Sequence, residues 1–221
     1  MPPAPSQDDA ETHPAQASPG QVVLLHGLGR SPASMWLIAR RLRRDGFRVH
    51  QIGYPSTRQT FAEAEGFVRH RLAELPPGPL SLVGHSLGGL IAAEILRAPR
   101  GLAIDRVVQL GSPNRGSPLI TRLGWLWPVR MACGPILGEL NTLPAPPGRS
   151  DSIAAIGGTA SWPVISAGFL RPNDGVVTLR SAWSGAGHRG HVHMLHSFLL
   201  ISPRAIAMTA AFLSTGRLEP S

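Results

Sequence analysis

Apolar residues in this chain fall into short, dense runs separated by longer amphipathic stretches, and the two kinds alternate from residue 21 onward. The first run, "QVVLL", is apolar without a break, as expected of a strand covered on both faces. A helix is predicted next over 34–44, with Ser34 as its N-cap and Leu37, Ile38 and Leu42 as its buried stripe. "FRVHQIGYP" reads as the second strand, and "TFAEAEGFVRHRLAEL" as a helix with Phe61, Ala64, Phe67, Val68 and Leu72 on one side. "PLSLVGHS" is the third strand, followed by a helix over 87–96. "IDRVVQLGSP" is the fourth strand, "WPVISAGF" the fifth, "GAGHRGHVHM" the last, and "ISPRAIAMTAAFLSTGRL" the final helix. Alternation of this kind predicts an α/β fold, a mostly parallel sheet of about six strands with helices on both faces.

Two stretches depart from the rhythm. Residues 1–20 are rich in Pro, Ala and small polar residues and are expected to be disordered, which leaves 21–218 as one domain. Between the fourth and fifth predicted strands lie more than forty residues, longer than a crossover needs. This insert, 118–160, is either one crossover helix with a long loop or a small cap that brings Trp125 and Trp127 to a substrate entrance.

Charge and composition narrow the picture further. The chain carries 21 basic residues, all arginine, against 13 acidic ones, for a formal charge of +8. A nucleic-acid surface would interleave aromatics with its basic residues, whereas the densest group (Arg40, Arg41, Arg43, Arg44) lies on the solvated face of a predicted helix. The arginine bias is read instead as a codon effect, with no nucleic-acid partner. One cysteine, Cys133, excludes an internal disulfide and any cysteine-based metal cage. No secretory signal is visible and no apolar run reaches the roughly 18 residues of a membrane span, so a cytoplasmic protein is expected.

The candidate chemistry centres on "GHSLG" at 84–88, which fits G-x-S-x-G between an apolar strand and an apolar helix. In that setting Ser86 stands at a tight strand-to-helix turn, and glycines 84 and 88 relieve the crowding around it. A serine nucleophile needs a base, and the base needs an orienting acid. Four histidines follow Ser86: His188, His191, His193 and His196. His196 comes just after the last predicted strand and is favoured over His193. His191 and His193 share a face, but without an acid or cysteine nearby they do not make a metal site. Of the acids after Ser86, Asp174 in "RPNDGVV" is the one that follows a strand at its carboxyl end, where ligands of a parallel sheet gather. Acyl transfer also needs two N–H donors for the oxyanion. Leu87, just after the serine, offers one, and Leu28 in the loop "HGLG" offers the other, leaving His26 a structural role.

"LLHGLG", "LVGHSLGG", "LGSPNRGSP", "NDGVV" and "LHSFLL" together resemble the α/β-hydrolase superfamily, most of all its small bacterial lipases and esterases. The resemblance spans nearly the whole chain from residue 21. It implies Ser86, Asp174 and His196 as nucleophile, acid and base, and Leu28 and Leu87 as oxyanion donors. It also implies eight strands where this chain offers about six, so the family's first two are expected to be missing. The expected activity is hydrolysis of a small-molecule or lipid ester through an acyl-enzyme, without metal or cofactor and with transient contact at a membrane surface. A thioesterase, an amidase, or a non-catalytic member binding an apolar ligand or partner would share the same motifs.

Overall fold

The computed structural model describes residues 20–143, 150–162 and 172–219. Six strands form one sheet: β1 (Gln21–Leu25), β2 (Arg48–Ile52), β3 (Leu80–His85), β4 (Ile104–Leu110), β5 (Ser150–Gly158) and β6 (Ala186–Val192). Their order is β2-β1-β3-β4-β5-β6, and every pairing is parallel. The chain therefore reverses its direction of travel across the sheet at β1, leaving a crevice above the carboxyl ends of β1 and β3.

The strands alternate their side chains between two cores. Val22 and Leu24 of β1 pack with α1 (Trp36–Arg44) and the last helix, α8 (Pro203–Thr215). Val23 and Leu25 face α2 (Phe61–Ala73) and α3 (Leu87–Arg97). All four are fully buried. In α1, Ile38 and Leu42 are buried while Arg40, Arg41, Arg43 and Arg44 are exposed, as their spacing predicts. The helix does not start at Ser34. A 3-10 turn, Pro32–Met35, leads into it, because Pro32 at the first position favours a tight first turn after Ser31.

The fifth strand departs from its expected place. It occupies 150–158, so part of the expected 118–160 insert belongs to the sheet. The segment "WPVISAGF" lies outside the described residues apart from Trp162. What remains between β4 and β5 contains three short helices, α4 (Pro118–Leu123), α5 (Trp127–Cys133) and α6 (Ile136–Glu139). A four-residue helix, α7 (Leu179–Ala182), precedes β6. None of the described helices is long and apolar enough to cross a membrane.

Candidate active site

Ser86 links β3 directly to α3 with φ 51° and ψ −115°, a backbone conformation that costs energy for any residue with a Cβ. The turn closes only because its neighbours lack side chains. A Cβ on Gly84 would lie 2.3 Å from the Gly88 backbone, and a Cβ on Gly88 would lie 2.3 Å from the Leu25 carbonyl oxygen. Gly88 is thus required by the end of β1 as well as by the turn. The Ser86 N–H donates to the Leu110 carbonyl at 2.9 Å, which ties the turn to β4.

His196 and Asp174 come together from 22 residues apart. The Nδ1 of His196 is 2.8 Å from Oδ2 of Asp174, and the His196 N–H donates to the Asp174 carbonyl at 3.0 Å. The other carboxylate oxygen, Oδ1, accepts N–H bonds from Val176 at 3.0 Å and Val177 at 2.7 Å. Asp174 is 2% exposed, so its charge is held by backbone donors and one imidazole. With Nδ1 turned to the acid, the ring's Nε2 remains for another partner. His193 is exposed, with its Nδ1 3.4 Å from the Thr159 hydroxyl.

Ser86 and His196 line one cavity of about 240 Å³. Leu28 lines it as well, and among the described residues neither the Leu28 N–H nor the Leu87 N–H is committed to a protein acceptor. Leu87 opens α3, so its N–H points along the positive end of the helix dipole. His26 packs face to face on Tyr54 with ring centroids 4.4 Å apart, and its Nδ1 lies 2.9 Å from the Gly27 carbonyl. Burial lowers its pKa, which suits a neutral ring that shapes the loop.

Comparison with known proteins supplies the family. A model of the alpha/beta hydrolase family matches residues 22–213. The chain belongs to the alpha/beta hydrolase family. No curated protein matches it at a significant level. Among solved structures it is similar to a lipase from Bacillus licheniformis, BlEst2, at 18% identity and TM-score 0.70, covering 95% of this chain and 96% of that one. It is similar to the carboxylesterase CesB from Bacillus subtilis at 17% identity and TM-score 0.57, over 90% of this chain and 85% of that one. The type II thioesterase BorB of the borrelidin biosynthetic cluster gives 21% identity and TM-score 0.57, over 92% and 95%. At these identities the likeness concerns the fold.

The insert of this hydrolase walls the cavity, though not with the residues its sequence suggests. Trp125 and Trp127 are 73% and 70% exposed and are not among the cavity's lining residues. Trp125 precedes α5 and donates its ring N–H to the Arg122 carbonyl at 2.7 Å, while for Trp127 the reason is helical spacing in α5. Val129 and Cys133, four apart, face the cavity, while Trp127 and Met131, also four apart, face outward. Leu119, Ile120 and Leu123 from α4, Gly124 after it, Leu137 from α6 and Leu140 after it make up the rest of the insert's contribution. Burial pushes the Cys133 thiol up, so it stays protonated.

Two further residues of the site were not singled out in the sequence. His85 is 2% exposed and donates from Nε2 to the His196 carbonyl at 3.1 Å. Ser117 donates its hydroxyl to the Val176 carbonyl at 2.6 Å, which ties the loop after β4 to the turn holding Asp174. Its place in "GSPNRGS" was a signal that the loop is special, but not of its partner. Among the described residues no group of three His, Cys, Asp or Glu side chains is placed to hold a metal ion.

Proposed function

We propose that this hydrolase cleaves carboxylic esters through Ser86, His196 and Asp174. The observation that carries the reading is the 2.8 Å Asp174–His196 contact on a ring that borders the same cavity as Ser86 on its strained turn. Ser86 Oγ attacks the ester carbonyl while His196 Nε2 takes its proton. Asp174 holds the imidazole tautomer and stabilises the imidazolium that results. The Leu28 and Leu87 N–H groups bind the oxyanion. His196 then returns the proton to the leaving alcohol, and water, activated by the same imidazole, releases the acid from Ser86.

Cavity size favours a short acyl group. Its volume of about 240 Å³ lies below the roughly 300–1,000 Å³ usual for sites that engulf a drug-sized ligand. A carboxylesterase profile is therefore favoured over that of a long-chain lipase.

A fluorophosphonate probe tests nucleophile, base and oxyanion donors together. The expected adduct maps to the peptide containing Ser86 and is absent from Ser86→Ala. Asp174→Asn is expected to lower kcat by about 10⁴-fold, because it stabilises the wrong imidazole tautomer. Across p-nitrophenyl esters of increasing length, kcat/KM should decline beyond short acyl chains. A wild-type protein that stays unlabelled and inert on every ester would overturn the reading and favour a non-catalytic binding role.

A further inference from the structure

The cavity wall is apolar except near the serine, and one side chain there has no job in the chemistry above. Arg30 lines the same cavity as Ser86 and His196, and it is half-buried. It stands two residues after Leu28, on a turn closed by its own N–H donating to the Gly27 carbonyl at 3.2 Å. Arg30 is therefore part of the loop that presents the Leu28 N–H.

Among the described residues Arg41, Arg69, Arg71, Arg97 and Arg106 pair with nearby carboxylates, and several surface arginines do not; Arg30 is distinguished by its place on the cavity that holds Ser86. Among the described residues no carboxylate pairs with Arg30 and none lines the cavity. Asp174, the acid behind His196, is already occupied by two backbone N–H groups and the imidazole. Arg30 borders a cavity whose other walls include Leu119, Leu123 and Leu137, and a cation beside such an apolar wall attracts an anion more strongly than one in open solvent. A guanidinium also presents the planar fork that carboxylates and phosphates accept.

We propose that Arg30 selects substrates that carry an anionic group, a carboxylate or a phosphate, within a few bonds of the scissile carbonyl. The proposal rests on the ester-hydrolase reading above and names its substrate class. The anion docks on Arg30, and the acyl chain between it and the carbonyl lies along the apolar wall. The position of Arg30 beside the oxyanion loop keeps that chain short, in accord with the small cavity. The formal charge of +8 draws such substrates toward the protein before they dock.

Matched esters test this on the full-length protein. One pair is p-nitrophenyl hydrogen glutarate against p-nitrophenyl methyl glutarate; the other is p-nitrophenyl 3-phosphonopropanoate against p-nitrophenyl butanoate. Wild type is expected to show a kcat/KM at least tenfold higher for the charged member of one or both pairs. The pair with the larger ratio distinguishes a carboxylate from a phosphate source. Arg30→Gln should lower kcat/KM for the charged ester at least tenfold more than for its neutral partner, and Arg30→Lys should restore part of that difference. Equal or better turnover of the neutral esters by wild type, a preference that survives Arg30→Gln, or an equal fall on charged and neutral esters overturns the assignment and leaves the hydrolase reading standing. No turnover of any ester, with no fluorophosphonate adduct, overturns the hydrolase reading and the substrate class with it.

Discussion

His85 occupies the variable position of the elbow, yet its ring does more than fill space. Its Nε2–H donates to the His196 carbonyl, and the two rings lie 4.9 Å apart. Because a carbonyl only accepts, the proton sits on Nε2 and leaves Nδ1 bare, and that Nδ1 has no hydrogen-bond partner among the described residues. His85 is thus a positioning residue that fixes the backbone of His196. His85→Phe keeps the ring and removes the donor. A net hydrogen bond of about 0.5–1.5 kcal/mol predicts a kcat roughly threefold to tenfold lower, with KM within twofold. Steady-state kinetics on a short ester check this, and a change confined to KM would argue against positioning. The residues legible in the sequence are those whose chemistry left few choices. Only four histidines follow Ser86, and Asp174 sits in a turn at a strand end. His85 and Arg30 were not legible, since nothing in "GHSLG" or "HGLGR" says which way a side chain points.

Among the elements, β5 is the strand that the sequence did not single out, and its composition explains why. "SDSIAAIGG" has two β-branched apolar residues and four alanines or glycines, a weak strand signal beside "WPVISAGF". The small residues are needed for close packing. A Cβ on Gly158 would lie 2.4 Å from the Met194 carbonyl oxygen and 2.6 Å from the Asp174 Cβ. The turn that carries the acid therefore rests directly on this strand. The insert is likewise held by specific contacts to the start of α2 and the turn before it. Glu139 of α6 accepts the Phe61 N–H at 2.8 Å, and Gly134, at φ 76°, is so close to Thr57 that a Cβ would lie 1.8 Å from its carbonyl oxygen. Gly134→Ala must push backbone against backbone and take a left-handed conformation, so it is expected to cost more than about 1 kcal/mol. Because Cys133 and Leu137 line the cavity on either side of it, KM for a short ester should rise severalfold. Gly138→Ala, at a helical position with nothing within 4 Å, is expected to leave KM unchanged and to hold or slightly raise the melting temperature. Equal behaviour of the two variants would show that the insert is not fixed at Gly134.

At the scale of the whole molecule, the two cores on either side of the sheet were legible because strand and helix patterns alternate so regularly, whereas the strand order depends on pairings that periodicity does not encode. Folding also moves titratable groups into these cores, and that sets a pH dependence of stability. His26 follows β1 and His85 ends β3, and both are buried. Desolvation lowers the pKa of His26 and puts that of His85 well below the ordinary 6.5, with the charges of His196 and Arg30 adding to the effect on His85. Both rings stay neutral in the folded protein at pH values where the unfolded chain binds protons. The unfolded state then holds more protons than the native state, and stability rises with pH in that window. The contribution is therefore complete above 6.5 and is lost as pH falls from there toward the lowered folded values. A histidine that remains neutral one unit below its unfolded pKa costs roughly 1.4 kcal/mol there. His50 is shifted in the same direction, but it is more exposed and solvent screens its contribution. Glu63, lowered by its capping bonds to Thr60, loses its contribution only below its ordinary 4.5, outside the window. Denaturant unfolding at about pH 7.5, 6.5 and 5.5 should give a midpoint that is nearly constant over the first interval and falls over the second. His85→Phe, with one buried ring no longer able to titrate in either state, should fall less steeply. A wild-type midpoint that holds level down to pH 5.5 would mean that the two imidazoles accept protons inside the fold, and that the neutral forms assigned to them are wrong.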